Sequence, residues 1–315
     1  MHHSQSMPFK RRVKFLRMTD PYPCLPNHLL TLQSHDGAEI AVSLFGGQLC
    51  SWRTPDGRER LFVSRHAHWD NLHPIRGGVP VIFPQFGAAG PWPRHGIART
   101  LMWTLASQSS EYDQPAFMKL QLTSRLASRE TLGAVFAPDE FSLQLMIEFS
   151  GNTLRITLDI ENTGTTSLTF CAALHTYLRC QAARSSIWGL QHKTYHDAVD
   201  NDRLKIDETK VLRIDREIDR LYLNTSSNSS LNTSPNISTD IELRDDTGIM
   251  TLSQSGFSDT VVWNPWADKT RSLTDCAPQD YLDFVCIEAA VAVDTQQLRP
   301  GQKWRGTQSL RANNI

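Results

Sequence analysis

The chain has 315 residues, 40% of them hydrophobic and 21% charged, proportions of a globular protein able to bury a large core. Its 32 basic and 33 acidic side chains leave a net charge of −1. That balance argues against nonspecific nucleic-acid binding, which draws on a strong basic excess. No apolar stretch reaches the roughly 18 residues of a membrane span.

Residues 1–27 are basic but hold no apolar run long enough for a signal-peptide core, and form an N-terminal extension. Cysteines at 24, 50, 171, 180, 276 and 286 form no CxxC pair. Three lie in apolar runs, which suits buried reduced thiols and makes a cytoplasmic protein the simplest reading. Short strands are expected around turns at Asp36-Gly37 and Asp56-Gly57. His66, His68 and His73 follow at a spacing that fits no common metal site, so the segment reads as a polar loop.

The next stretch, IRGGVPVIFPQFGAAGPWPRHGIART (75–100), is rich in Gly and Pro, as loops are. It also carries Arg76, Arg94, His95 and Arg99. The strongest pattern in the chain comes after it. Phe141, Leu143, Leu145, Ile147 and Phe149 alternate with mostly polar neighbours, as do Leu154, Ile156, Leu158 and Ile160 beyond the turn SGN. Leu168, Phe170, Ala172 and Leu174 resume it after ENTGTTS. Period two over three segments predicts an antiparallel meander with one buried face. No segment of comparable length has a helical period. The reading is all-β: one large antiparallel β-sandwich domain over 28–315, with residues 224–238 a mobile Asn/Ser-rich loop. Asn224, Asn228, Asn232 and Asn236 in that loop each open an N-x-S tripeptide, which would matter only in a secreted chain.

Nucleotide, zinc-protease and serine-hydrolase signatures are absent: there is no GxxxxGK[ST], GxGxxG, HExxH or GxSxG. Three places could carry other chemistry. In CAALHTYLR (171–179) His175 has the strand parity of Cys171, Ala173 and Tyr177, on a face with room for a ligand; a histidine on a solvated face is the alternative. Glu288 interrupts the apolar run YLDFVCIEAAVAV. A carboxylate there must be paired, hydrogen-bonded or functional, unless its strand face is exposed. Asp197 in TYHDAVDN reads, taken alone, as a turn aspartate.

Seven blocks now line up in order: IRGGVPVIFPQFG, RHGIART followed by Trp103, ALHTYLR, YHDAV, DRLYLN, SDTVVWNPW and DFVCIEAA. Together they make the chain resemble the galactose mutarotase-like (aldose 1-epimerase) superfamily, and within it the glucose-6-phosphate 1-epimerases, over nearly its whole length. The resemblance implies a β-sandwich of the supersandwich type with a sugar groove on one sheet face. It implies an isomerase with no metal and no organic cofactor, acting on a small hexose 6-phosphate; a monomer with neither a nucleic-acid nor a membrane partner is expected. It assigns catalysis to His175 and Glu288, and substrate contacts to Arg76, His95, Arg99 and Asp197. Two departures stand out: the lysine that follows the aspartate in relatives is Ala198 here, and Arg94 replaces a residue that is glutamine in some of them.

The chemistry implied is anomer interconversion by ring opening. A base takes the C1 hydroxyl proton, an acid protonates the ring oxygen, and closure reverses both. Glu288 is expected as the base and His175 as the acid, with His95 orienting the reacting oxygens and Asp197 the ring hydroxyls. Arg76 and Arg99 would grip the phosphate, and Arg94 would join them if it points inward. An epimerase of free hexoses, or a catalytically silent sugar-phosphate-binding module, are the alternatives.

Overall fold

The computed structural model describes residues 29–124, 140–226 and 240–313. The expected N-terminal extension, Cys24 and nearly all of the Asn/Ser-rich loop lie outside these residues.

Among the described residues the alternation of apolar and polar side chains becomes twenty strands. Strands β1 (Leu29–Gln33), β2 (Glu39–Ser43) and β3 (Gln48–Arg53) open the fold, followed by β4 (Val81–Ile82), β5 (Thr104–Ser109) and β6 (Ala116–Thr123). The central strands are β7 (Phe141–Ser150), β8 (Thr153–Asn162), β9 (Leu168–Leu174), β10 (Tyr177–Arg179), β11 (Ser186–Trp188), β12 (Thr194–Asp197) and β13 (Arg203–Ile206). The C-terminal third adds β14 (Leu212–Arg213), β15 (Ile218–Tyr222), β16 (Ile241–Asp245), β17 (Gly248–Ser255) and β18 (Asp259–Asn264). A helix, α1 (Trp266–Ser272), then leads to the long strands β19 (Phe284–Leu298) and β20 (Lys303–Asn313).

The strands form three antiparallel sheets. β1-β2-β3 stand alone, eight strands run β13-β12-β15-β18-β19-β9-β4 with β10 also on β19, and nine run β14-β11-β16-β17-β20-β8-β7-β6-β5. The two large sheets enclose an apolar core. Inward residues of β7 and β8 such as Leu143, Ile147, Ile156 and Leu158 pack there with Leu174, Val262 and Ile287 from the other sheet. Burying each such side chain contributes roughly 1.5–3 kcal/mol.

The expected meander is only two-thirds right. β7 pairs with β8 over ten residues, but β8's other neighbour is β20, and β9 crosses to the second sheet to lie between β19 and β4. The sequence between β8 and β9 has the composition of a hairpin turn, and composition does not distinguish a turn that returns the chain from one that carries it across the core. That crossing sends the CAALHTYLR segment to the sheet that also holds Glu288.

Candidate active site

β9 ends at Leu174 and β10 begins at Tyr177, yet both pair with β19 in a single continuing register: Leu174 faces Ala289 and Tyr177 faces Cys286. That register sets His175 opposite Glu288 and Thr176 opposite Ile287. A cross-strand pair brings Cβ atoms about 5 Å apart, and here His175 Nε2 lies 3.3 Å from Glu288 Oε1. The ladder is locally open at this point. The Thr176 N–H turns back to the Leu174 carbonyl (2.9 Å), and the His175 N–H donates to the Pro80 carbonyl (3.0 Å).

Both side chains are buried, Glu288 to 1% exposure. His175 Nδ1 and Glu288 Oε2 have no hydrogen-bond partner. Burial pushes the Glu288 carboxyl well above the usual range, reinforced by the charge of Asp219 and opposed by Arg94 and Arg99. Burial pushes His175 well below its ordinary value, reinforced by His95, Arg99 and Arg76. Both shifts favour the neutral forms, a carboxyl that keeps its proton beside an imidazole without one. A buried acid with a spare oxygen beside a buried base with a spare nitrogen can exchange protons with two neighbouring oxygens of one ligand.

The walls are aromatic and small. The His175 ring stacks on Tyr177 at 4.9 Å, and Trp263 stands edge-on to both at 6.0 Å. Ile82, Ala173, Val261 and Ala290 form the apolar floor. Ala173 is on the ligand side, as the parity of the segment predicts.

His95 comes within 5.6 Å of His175, ring to ring. Its backbone is left-handed, φ 66°, a conformation costly for a non-glycine residue and often found where a side chain is held for function. Its Nδ1 accepts from the Gly87 N–H (3.3 Å), so the neutral ring carries its proton on Nε2. Burial lowers its pKa to about 3, helped by the charges of Arg99, Arg94 and Arg76.

The three arginines differ in their attachments. Arg76 Nε donates to Asp275 Oδ2 (3.1 Å), Nη2 lies 3.1 Å from the same oxygen, and Nη1 donates to the Tyr177 hydroxyl (3.0 Å). Among the described residues Arg99 makes no ion pair; its Nη2 donates to the Arg94 carbonyl (2.6 Å) and its buried Nε has no partner. Burial, with repulsion from Arg76 and Arg94, lowers its pKa to about 10. Arg94 is exposed, but its charge acts on His95, Glu288 and Asp219 alike.

The glycines between these groups have a different use from the one their loop suggests. Gly77 and Gly78 have positive φ, and a Cβ there would come within 2.3 Å of the Phe62 carbonyl and 2.2 Å of the Leu49 carbonyl. They let protein backbone pack against protein backbone and so fix the position of Arg76.

Asp197 is not brought to the pair. Its carboxylate accepts from the Val199 N–H (3.2 Å) and from Lys205 Nζ (2.7 Å), and its strand position pairs with Arg220, on the parity opposite to Glu288. Lys205 reaches the aspartate from β13, whereas the relatives' lysine adjoins it in sequence. Asp219 was missed by sequence reasoning. It faces Trp263 on β18, which faces Cys286 on β19, two residues from Glu288 and on the same sheet face. Burial raises its carboxyl pKa, and Lys269 lies 3.8 Å away. Strand parity within DRLYLN could have separated Asp219 from Arg220, but only the sheet order shows that it faces the site.

A metal is a poor fit. His175, Cys286 and Glu288 offer donor atoms within 4.8 Å of one another, the one such group among the described residues. The Cys286 thiol is pushed well above its ordinary pKa by burial, and a dication there would meet the field of three arginines. In the His66–His73 segment, His73 Nδ1 lies 2.7 Å from Asp70 Oδ2 at the surface. Two surface depressions of about 420 and 380 Å³ contain none of the residues of the pair or the arginine cluster. Here chemistry outweighs size in locating the site.

The aldose 1-epimerase family model matches residues 28–311. The chain belongs to that family. It is 31% identical to a protein of Escherichia coli K12 named "Putative glucose-6-phosphate 1-epimerase", over 90% of each chain. It is 29% identical to one of the same name from Cenchrus ciliaris, over 86% of this chain and 80% of that one. The crystal structure of a "putative mutarotase" from Salmonella typhimurium superposes with a TM-score of 0.78 at 24% identity, over 91% of this chain and 90% of the other. Galactose 1-epimerase of Lactobacillus acidophilus gives 0.65 at 16% identity, over 93% and 97%. These two likenesses establish a galactose mutarotase-like fold.

Proposed function

We propose that the protein interconverts the α and β anomers of glucose 6-phosphate, and of related hexose 6-phosphates, by acid–base ring opening. The observation that carries this reading is the His175–Glu288 pair: 3.3 Å apart, buried, with one unsatisfied atom each, beside an arginine that has no ion-pair partner among the described residues.

The pair would straddle the C1–O5 edge of the pyranose. Starting from the protonation of the free protein, the Glu288 carboxyl gives its proton to O5 as His175 takes the proton of the C1 hydroxyl. The ring opens, the C1–C2 bond turns, and closure on the other face runs the transfer backward. In closure Glu288 accepts and His175 donates, but each stays at its own oxygen, Glu288 at O5 and His175 at O1. That is the reverse of the placement expected from sequence, where Glu288 takes the C1 hydroxyl proton and His175 protonates O5. A reaction that is its own reverse uses each group as acid and as base, and a pair holding one proton supplies both. Such catalysis contributes roughly 10²–10⁴-fold, with the rest from positioning. His95 Nε2–H would donate to a reacting oxygen, and Asp219, in preference to Asp197, would accept from ring hydroxyls.

The phosphate would sit among Arg99, Arg76 and Arg94. Arg99 is half-buried, repelled by two like charges and only partly offset by Asp275, whose carboxylate is held by Arg76, a cation with capacity left for an anion. A free hexose would bring no charge to offset it, which favours the phosphorylated substrate. Residues 28–315 would act as one catalytic unit, and the five described thiols, all free and buried, suit a reducing compartment such as the cytoplasm.

Magnetisation-transfer NMR on the equilibrated anomers of glucose 6-phosphate tests the proposal. Exchange should accelerate on adding protein. No acceleration would overturn the reading, and equal acceleration of glucose would shift it to free hexoses.

A further inference from the structure

Strand β20 points Gly306, Gln308, Leu310 and Ala312 into the core. Gln308 is the misfit: a primary amide at 2% exposure among apolar side chains. A buried amide without partners is costly, so its hydrogen bonds define its use. Gln308 Nε2 donates to the Ile287 carbonyl (3.0 Å), and Oε1 accepts from the Thr176 hydroxyl (2.6 Å). Ile287 immediately precedes Glu288, and Thr176 immediately follows His175.

These two contacts coincide with the break in the ladder. Thr176 and Ile287 are register partners, and a hydrogen-bonded antiparallel pair exchanges two N–H···O bonds. Only one is made, from the Ile287 N–H to the Thr176 carbonyl (3.1 Å). The Thr176 N–H is diverted to Leu174, so the Ile287 carbonyl would stand unpaired were it not for Gln308. The amide reaches across the core from the opposite sheet and replaces the missing bond, holding the threonine hydroxyl with its other end.

We propose that Gln308 is a positioning residue for the proton-transfer pair. Bridging Thr176 and Ile287, it keeps the opened ladder at the spacing that sets His175 against Glu288. This deepens the mutarotase reading and rests on it for its kinetic readout. The hydrogen bonds of Gln308 go to neither reacting side chain, so its loss acts on the pair through the two strands that carry it. Catalysis is sensitive to such shifts, a misplacement of about 1 Å costing on the order of 10²-fold, and supporting hydrogen bonds are what hold a site tighter than that.

The test compares Gln308→Leu, Gln308→Glu and Thr176→Val with the wild type in glucose 6-phosphate anomer exchange, well below each variant's Tm. Gln308→Leu should lower kcat about tenfold or more with KM nearly unchanged. Thr176→Val, which removes one hydroxyl at constant volume, should lower it by a smaller factor. In Gln308→Glu only the protonated carboxyl can both donate to Ile287 and accept from Thr176, so its kcat relative to wild type should rise as pH falls. A Gln308→Leu protein with a lower Tm but kcat within twofold of wild type would show the amide to be merely structural and overturn the proposal. If that variant does not fold, an unaltered kcat in Thr176→Val overturns it equally. A wild type without exchange activity would refute the mutarotase reading instead. The positioning role is then read from imidazole NMR, where Gln308→Leu, or Thr176→Val if that variant does not fold, should alter the titration of His175 and leave His95 unchanged. Identical His175 titrations would overturn it.

Discussion

Arg99→Ala separates phosphate recognition from catalysis, and both of its effects follow from the surroundings of Arg99. If the guanidinium grips the phosphate, truncation removes at least one charge-assisted hydrogen bond, worth about 1.5–3 kcal/mol. At 1.4 kcal/mol per factor of ten, kcat/KM for glucose 6-phosphate should fall roughly 10- to 150-fold. Activity on glucose, which has nothing for Arg99 to hold, should not fall by more than about threefold, and should rise to the extent that the charge of Arg99 suppresses His175.

The second effect is on stability. Arg99 is held at about 10 rather than 12.5. A basic group depressed in the folded state penalises folding at every pH below its folded pKa, so at pH 7 the penalty is fully present. The depression corresponds to roughly 3 kcal/mol; the side chain is partly open to water, and screening reduces this to ~1 kcal/mol. Arg99→Ala should therefore not lower Tm, although it deletes a long side chain. Inorganic phosphate reports on the same site. At 100 times its Kd a ligand stabilises by about 2.7 kcal/mol, and a tenfold weaker Kd leaves about 1.4 at the same concentration. Thermal shift with and without phosphate should thus give a Tm rise in wild type that is halved or lost in the variant. Equal losses of activity on glucose and its 6-phosphate, with a lowered Tm and an intact phosphate shift, would refute the assignment.

The other expectations concern the proton-transfer pair and its neighbours. Glu288→Gln should reduce anomer exchange about 10²–10⁴-fold while phosphosugar binding, read by calorimetry, stays within a few-fold; retained exchange would remove Glu288 from the chemistry. Because the Glu288 pKa is raised in the folded state, wild-type stability falls as pH climbs above about 4.5, the carboxyl's unfolded value. The Tm advantage of Glu288→Gln should accordingly widen from pH 5 to 8, and a constant difference would contradict the raised pKa. His175 is depressed, so wild type should lose stability as pH falls through about 6.5, and His175→Gln should lose less. Asp219→Asn should weaken binding of glucose and its 6-phosphate by similar factors, roughly tenfold, whereas Asp197→Asn should lower Tm with little effect on kcat/KM; the reverse outcome would restore Asp197 to the pocket.

What the sequence revealed follows from the range of the interactions involved. Period two in β7 and β8 is local, since each residue's face is set by its two neighbours, and it was legible in full. Where β9 goes is not local. Leu168 to Leu174 alternate the same way whichever sheet they join, so the crossing that brings His175 to Glu288 had to be seen. The pair itself was visible as two oddities, a histidine on a small-residue face and a carboxylate in an apolar run, and the family resemblance joined them. Asp219 and Gln308 escaped for different reasons. Asp219 looks like any charged residue alternating in a strand, and its meaning depends on β15, β18 and β19 being neighbours. Gln308 sits at an inward position of KWRGTQSLRA, where parity marks it as out of place, but its partners lie 132 and 21 residues away.

The arginines and the proton-transfer pair are linked by sign. Arg99 and Arg76 depress His175 and His95, while Arg94 and Arg99 pull Glu288 downward against its burial. A phosphate dianion placed among the three guanidiniums cancels much of that field, and the low dielectric of the site makes the cancellation larger than it would be in water. With the field reduced, each of the three groups holds a proton more readily than in the free protein. His175, a weakened base in the free protein, would then become a better one, and the ion that would anchor the substrate would also move the imidazole toward the range where proton transfer in both directions is efficient. A free hexose in the same pocket would leave the imidazole suppressed. Discrimination between hexose and hexose 6-phosphate would thus arise in the chemical step as well as in binding.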